Sequence, residues 1–146
     1  MSRDINELDK SIIKKAKKAV ADMKKDKLLK TYGVTDIYIN ETRRELAVQM
    51  AYYSRSRMTV DDVKEMYKAA GLYALSDAEA KIANTWTLKS KHIEGKAIDL
   101  VPVRAGKLWW TAPACVWERM GVIGENAGLN WGGRWKEKDL PHFEGE

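Results

Sequence analysis

Ile5, Leu8, Ile12, Ala16, Ala19 and Met23 recur every three or four residues, and Lys10, Lys14, Lys17, Lys18, Lys24 and Lys25 fill the opposite arc of the same helical wheel. That period predicts one amphipathic helix over about residues 4–30, with Asp4 as its N-cap and Glu7 completing a capping box. Tyr32-Gly33 interrupts the pattern, and Val34 to Ile39 reads as a strand. Thr42 is positioned to cap a helix carrying Arg44, Gln49, Tyr52 and Tyr53. Thr59-x-x-Asp62 opens another, with Val60, Val63, Met66 and Tyr67 at helical spacing and Gly71 as its stop, and Ser76-x-x-Glu79 starts a short third. From Asn84 onward the period shortens to that of strands: Thr85 to Leu88, Ala97 to Val103, a turn at Ala105-Gly106, then Leu108 to Trp110. Pro113 belongs in the first turn of a helix ending near Gly128, and a last strand runs through His142 and Phe143. Helices first and strands later predict an α+β fold, a small, mainly antiparallel sheet flanked by helices.

A chain of 146 residues has room for one real core, so residues 1–146 are expected to form a single domain, and a monomer. The lone Cys115 cannot form an internal disulfide, which suits folding in a reducing compartment. No apolar stretch is long enough for a signal peptide or a membrane span, so no membrane insertion is expected. The net charge of +5 is concentrated in the first helix, where a solvated lysine face over an apolar stripe explains it; attraction to anionic envelope polymers is the functional alternative. No nucleic-acid partner is expected, because that helix has no interleaved aromatics and the chain has no DNA- or RNA-binding motif.

Candidate chemistry rests on the two histidines, His92 and His142. They stand in Ser90-x-His92-x-x-Gly95-x-Ala97-x-Asp99 and in Asp139-x-Pro141-His142. Catalytic zinc takes three protein ligands from imidazole and carboxylate and keeps a fourth position open, which His92, Asp99 and His142 satisfy with one carboxylate to spare. Fully extended, His92 and Asp99 would lie roughly 23 Å apart, so the backbone must reverse between them, and Gly95 can take the positive φ of such a turn. Asp99 sits within the apolar run Ala97 to Val101, where an unpaired carboxylate is costly to bury and a cation is the simplest compensation. Pro141 stiffens the approach to His142. Asp139 is assigned to acid–base work: it can take a proton from a metal-activated water and return it to a leaving amine. No further Cys or His remains in either block to close a structural zinc site.

In these blocks the chain resembles the VanY-type D-alanyl-D-alanine carboxypeptidases and the related L-alanyl-D-glutamate endopeptidases found among phage endolysins. The resemblance spans about Val34 to Glu144. It takes in the Ser90 to Asp99 block, Trp131-Gly132-Gly133-Arg134-Trp135, Asp139 to His142, and an upstream pattern matched by Thr42, Arg44, Gln49, Tyr53 and Arg57. It implies a DD-peptidase-like fold with catalytic motifs over 42–144, and one zinc per chain on His92, Asp99 and His142. It also implies that Asp139 is the catalytic carboxylate, that Arg44 and Gln49 line the substrate groove, and that Ser90 hydrogen-bonds near the metal. Arg44 would hold a substrate carboxylate or the oxyanion of the scissile carbonyl. Glu45 and Ser56 depart from the residues common in the family, Ser and Gly.

The expected function is hydrolysis of the L-alanyl-D-glutamate bond in the peptidoglycan stem peptide, by an enzyme made in the host cytoplasm that reaches the wall after another protein opens the membrane. A D-alanyl-D-alanine carboxypeptidase and a non-catalytic wall-binding module are the alternatives. All six tryptophans, from Trp86 onward, lie on the side of the chain that carries the metal motifs. Trp117 reads as core. Trp131, flanked by Gly132 and Gly133, reads either as a groove wall that binds substrate or as core. Cys115 with His142 as a nucleophile pair is set aside, because Cys115 falls in an apolar helix.

Overall fold

The computed structural model describes residues 1–85 and 87–146. Its amphipathic segment is three pieces rather than one helix: a 3-10 turn at Ile5–Glu7, helix α1 (Ile13–Lys25) and helix α2 (Lys27–Thr31). Asp4 caps the 3-10 turn through the Asn6 N–H, so the capping box with Glu7 is not made. The Asp9 N–H donates to the Gly95 carbonyl at 2.9 Å, which ties residues 8–12 to the loop before Asp99 and delays the start of α1. Asp26 then ends α1 and caps α2 by accepting from the Leu29 N–H at 3.0 Å. The apolar stripe keeps its predicted orientation through these breaks, with Ile12, Ala16, Ala19 and Met23 buried. Lys14, Lys17, Lys18, Lys24 and Lys25 remain exposed, and Lys18 and Lys25 share Asp22.

Among the described residues five antiparallel strands follow in chain order: β1 (Asp36–Glu41), β2 (Ala97–Arg104), β3 (Lys107–Leu108), β4 (Asn130–Trp131) and β5 (His142–Glu144). They lie β1-β2-β5-β4, with β3 added on β2. Helices α3 (Leu46–Ser54), α4 (Val60–Ala69) and α5 (Asp77–Ala80) come between β1 and β2, and α6 (Ala114–Asn126) between β3 and β4. The architecture is therefore α+β, a small antiparallel sheet flanked by helices. Among the described residues no helix is long and apolar enough to cross a membrane.

Thr59 caps α4, and Ser76 with Glu79 forms the expected capping box on α5. Thr42 does not cap α3. Its hydroxyl donates to the Asp4 carbonyl, and the helix begins three residues later than a cap there would allow, after Glu45. Thr85, Thr87 and Leu88 are not in a strand, and Trp86 lies outside the described residues.

Alternation along the central strands sorts core from chemistry. Ile98 and Leu100 point into the main core, where Phe143 pairs across with Ile98 and α1 and α6 cover them through Met23 and Met120. Successive strand side chains point to opposite faces, so Asp99, its cross-strand partners Glu41 and His142, and Glu144 two residues on share the other face. A second cluster, Ala51, Val63, Tyr67, Leu75 and Ala80, joins α3, α4 and α5 into a lobe beside that face.

Candidate metal centre and its cavity

Three elements deliver the cluster. His92 comes from a turn closed by its own backbone, in which the Gly95 N–H donates to the His92 carbonyl at 3.1 Å and Gly95 takes φ +70°. The reversal brings Asp99 on β2 back beneath His92. Directly across the ladder stands His142 on β5. Asp99 Oδ1 lies 3.2 Å from His92 Nε2 and 3.2 Å from His142 Nδ1. The three donor atoms all lie within 4.8 Å of one another.

Each imidazole is held from behind. His92 Nδ1 sits 2.7 Å from the Thr42 carbonyl, and His142 Nε2 sits 2.8 Å from Glu144 Oε2. Those contacts assign the outer nitrogen of each ring as the donor, and leave His92 Nε2 and His142 Nδ1 turned toward Asp99. The spacing suits a cation: ligand atoms about 2 Å from a tetrahedral zinc stand roughly 3.3 Å from each other. Two nitrogens and one carboxylate oxygen are donors that zinc accepts, and the ligand chemistry of a metal site is present.

Charge follows from the same contacts. Burial alone would raise the Asp99 pKa, but the contacts with His142 and His92 prevail and hold it well below the usual carboxylate range. Burial would lower that of His142, yet the bonds to Asp99 and Glu144 raise it to about 9. A metal ion binding at Nδ1 therefore competes with the proton that these bonds favour.

Asp139 Oδ2 lies 3.9 Å from His142 Nδ1, and its side chain is half-exposed. Partial burial raises its pKa, against the pull of His142. Gly132 fixes its place. The Asp139 N–H donates to the Gly132 carbonyl at 3.0 Å, and a Cβ on Gly132 would stand 2.5 Å from the Asp139 carbonyl oxygen and 3.2 Å from the His142 Cβ. The glycine pair thus permits a close backbone approach that sets both His142 and Asp139.

The cluster opens into a cavity of about 750 Å³ lined also by Arg44, Ser90, Trp135 and Asp139. Arg44 reaches it with most of its donors engaged: Nε and Nη2 donate to the two oxygens of Glu41 at 2.5 and 2.6 Å, and Nη1 donates to Gln49 Oε1. The guanidinium also lies over the Tyr52 ring, 4.9 Å from its centre. Burial disfavours the Arg44 charge, but Glu41 outweighs burial and raises its pKa. Ser90 accepts from the His92 N–H at 3.2 Å, bracing the turn.

Two expected groove residues stand elsewhere. Gln49 is fully buried and does not line the cavity; its amide joins Arg44 to the Thr87 carbonyl at 2.7 Å. Trp131 is core, with its Nε1 donating to the Leu140 carbonyl at 2.7 Å and its ring packed over Gly121 and Gly133. Trp135, 5.1 Å from the His142 ring, forms the aromatic wall instead. Cys115 is exposed and outside the cavity.

Glu41, Glu144, the Thr42 carbonyl and Trp135 were not among the expected site residues. Glu144 had a signal in the sequence, because a residue two places along a strand shares the face of His142, and Thr42 and Trp135 stand in the motif blocks, whereas Glu41 had none.

The family model described as D-alanyl-D-alanine carboxypeptidase matches residues 83–145. The match takes in the blocks that carry His92, Asp99, Asp139 and His142, and the upstream block with Arg44 and Gln49 lies outside it. The family resemblance carried by the motifs is therefore supported. The fold is similar to that of the Serratia marcescens L-Ala D-Glu endopeptidase ChiX, with TM-score 0.56 and 22% identity over 96% of this chain and 81% of that one. No curated protein sequence matches the chain.

Proposed function

We propose that this chain is a zinc-dependent peptidoglycan peptidase that hydrolyses the L-alanyl-D-glutamate bond of the stem peptide. The observation that carries the reading is the convergence of His92 Nε2, Asp99 Oδ1 and His142 Nδ1 in a cavity that Asp139 also lines. These three residues would hold one zinc ion per chain. When bound, the ion supplies a Lewis acid for the attacking water and the scissile carbonyl.

The chain's own residues do the rest. Asp139, with a raised pKa and a half-exposed carboxylate, takes the proton of the attacking water and returns it to the leaving amine. Arg44 steadies the charge that forms on the carbonyl oxygen, with the N–H groups left over from Glu41 and Gln49. Gln49 acts on Arg44 rather than on substrate. Trp135 offers an apolar wall beside His142 for the peptide.

Likeness in fold to an L-Ala D-Glu endopeptidase supports the choice of bond, while the description of the matching family favours release of a terminal D-alanine as the second reading. Mass spectrometry of digested peptidoglycan separates them. New free N-termini on D-glutamate are expected. Free D-alanine without such termini selects the carboxypeptidase, and an undigested wall overturns both.

A further inference from the structure

The cavity does not end at the metal cluster. Beyond Arg44 its wall continues over Tyr52 to Tyr67 and Tyr73, with ring centres 6.0 Å apart for Tyr52 and Tyr67 and 5.7 Å for Tyr67 and Tyr73. Arg55, at the C-terminal end of α3, lines the same arm.

Two features of this arm are not explained by packing. Tyr67 is 1% exposed and its hydroxyl is a buried side-chain polar atom with no hydrogen-bond partner among the described residues. A buried hydroxyl without a partner is destabilising, and such groups in a folded protein usually face a water or a ligand. Arg55 is anchored through Nε, which donates to the carbonyls of Glu79 and Ile82 at 2.9 and 3.0 Å, and no carboxylate forms an ion pair with it among the described residues. Arg44, by contrast, has Glu41. Glu79, whose carbonyl Arg55 holds, has its carboxylate taken up by the Ser76 N–H and the Tyr73 hydroxyl. The arm therefore presents a guanidinium and a phenol side by side, close enough that Arg55 acts on the Tyr67 hydroxyl, and among the described residues Arg55 has no carboxylate within ion-pair distance. Burial raises the Tyr67 pKa against the opposing pull of Arg55, which keeps the phenol a donor.

We propose that Arg55 and Tyr67 form a second substrate subsite that binds a carboxylate of the stem peptide away from the bond being cut. The subsite rests on the peptidase reading, and adds to it the reason a small enzyme would distinguish acidic stem peptides from amidated ones. Arg55 supplies the charge and the paired N–H geometry that suits a carboxylate, and the Tyr67 hydroxyl supplies a neutral donor beside it.

The test compares synthetic stem peptides in which each carboxylate is free or amidated in turn, with direct binding by calorimetry and with kcat and KM. Wild-type protein should bind one free-acid peptide about tenfold more tightly than its amidated form. Tyr67→Phe should erase most of that preference through KM, with kcat and metal content unchanged. Its melting temperature should stay equal or rise, because the substitution removes an unpartnered buried hydroxyl. Arg55→Gln should erase the preference as well, and Tyr67→Phe keeps the test decisive if loss of the Arg55 anchor unfolds the lobe. Equal affinity of wild type for all the peptides, or an undiminished preference in Tyr67→Phe, overturns the subsite. So does a lowered melting temperature of Tyr67→Phe with unchanged binding, which would make the hydroxyl a structural donor. Binding that discriminates as expected in a protein that cuts no peptide would keep the subsite and reject the peptidase.

Discussion

Glu144 Oε2 lies 2.8 Å from Nε2 of His142, and so fixes which nitrogen of that ring faces Asp99. A carboxylate behind a metal-bound imidazole orients the ring and makes it a better ligand, and its loss commonly weakens metal affinity by roughly 10- to 100-fold. Glu144→Ala should weaken zinc binding by that order in competition with a chromophoric chelator. Glu144→Gln, whose carbonyl still accepts from Nε2, should recover most of it. Wild-type affinity in Glu144→Ala would remove Glu144 from any part in the site.

Arg44 is as much a partner of Glu41 as a candidate substrate ligand. The Glu41 side chain is only 5% exposed, so Arg44→Ala strands a buried carboxylate, and breaking such pairs costs about 3–5 kcal/mol. Denaturant unfolding should show a loss of that size in Arg44→Ala, alongside lost turnover. Arg44→Lys should keep more of the stability than of the activity, since it keeps charge without the planar fork. Full activity in a folded Arg44→Ala would refute the role given to this residue.

Among the described residues the ion pair of Asp139 is with His142 Nδ1, at a long 3.9 Å, and its side chain is half-exposed. Asp139→Asn should keep its zinc and its melting temperature and lose turnover by roughly 10² to 10⁴-fold, the usual contribution of general base catalysis. Zinc and rate are to be measured on the same preparation. Loss of zinc would make Asp139 a ligand, and wild-type turnover would place the base elsewhere.

At the far side of the fold, Arg119 on α6 donates to both oxygens of Asp26, at 2.8 and 3.1 Å, where α1 gives way to α2. The hydrogen bond from Arg119 lowers the Asp26 pKa from its usual 3.8. The folded state therefore favours the carboxylate, and its contribution is complete above about pH 4 and fades as pH falls through the lower folded value. Asp26→Asn keeps a cap on α2 but loses the charge. Its melting temperature should fall below wild type at pH 6, and the gap should narrow toward pH 3. A gap independent of pH would mean that the pair contributes nothing electrostatically.

His92, Asp99, Asp139 and His142 were legible in the sequence because their spacing carries the chemistry: a turn at Gly95, a strand position facing away from Ile98 and Leu100, and a proline before the second histidine. The strands β1, β2 and β5 and the helices α4, α5 and α6 were legible from local pattern, with Thr59, Ser76 and Pro113 marking the helix starts, whereas the two-residue β4 was not expected and Thr85 and Leu88 form no strand. The first helix was not. Its apolar period runs unbroken from Ile5 to Met23, and nothing in it records that the Asp9 N–H is claimed by Gly95, eighty-six positions away. Asp26 likewise divides α1 from α2 as a cap, in a run of lysines that reads as continuous helix. Gln49 and Trp131 were assigned to the groove because polar and glycine-flanked residues near a site are expected to meet ligand. In the fold, Gln49 is turned inward to hold Arg44, and the space left by Gly133 is filled by the ring of Trp131 itself. The pairing of Glu41 with Asp99 needs the strand register, which no local pattern supplies.

The central claim is that one metal ion, held by His92, Asp99 and His142, is required for cleavage of the stem peptide. The direct measurement is the rate of peptide release from purified peptidoglycan after the protein is stripped with chelator and titrated back with zinc. Activity should vanish on stripping and return in proportion to zinc until one ion per chain is bound, and His142→Ala should recover none at any zinc concentration. Full activity in the stripped protein, or in His142→Ala, would contradict the account.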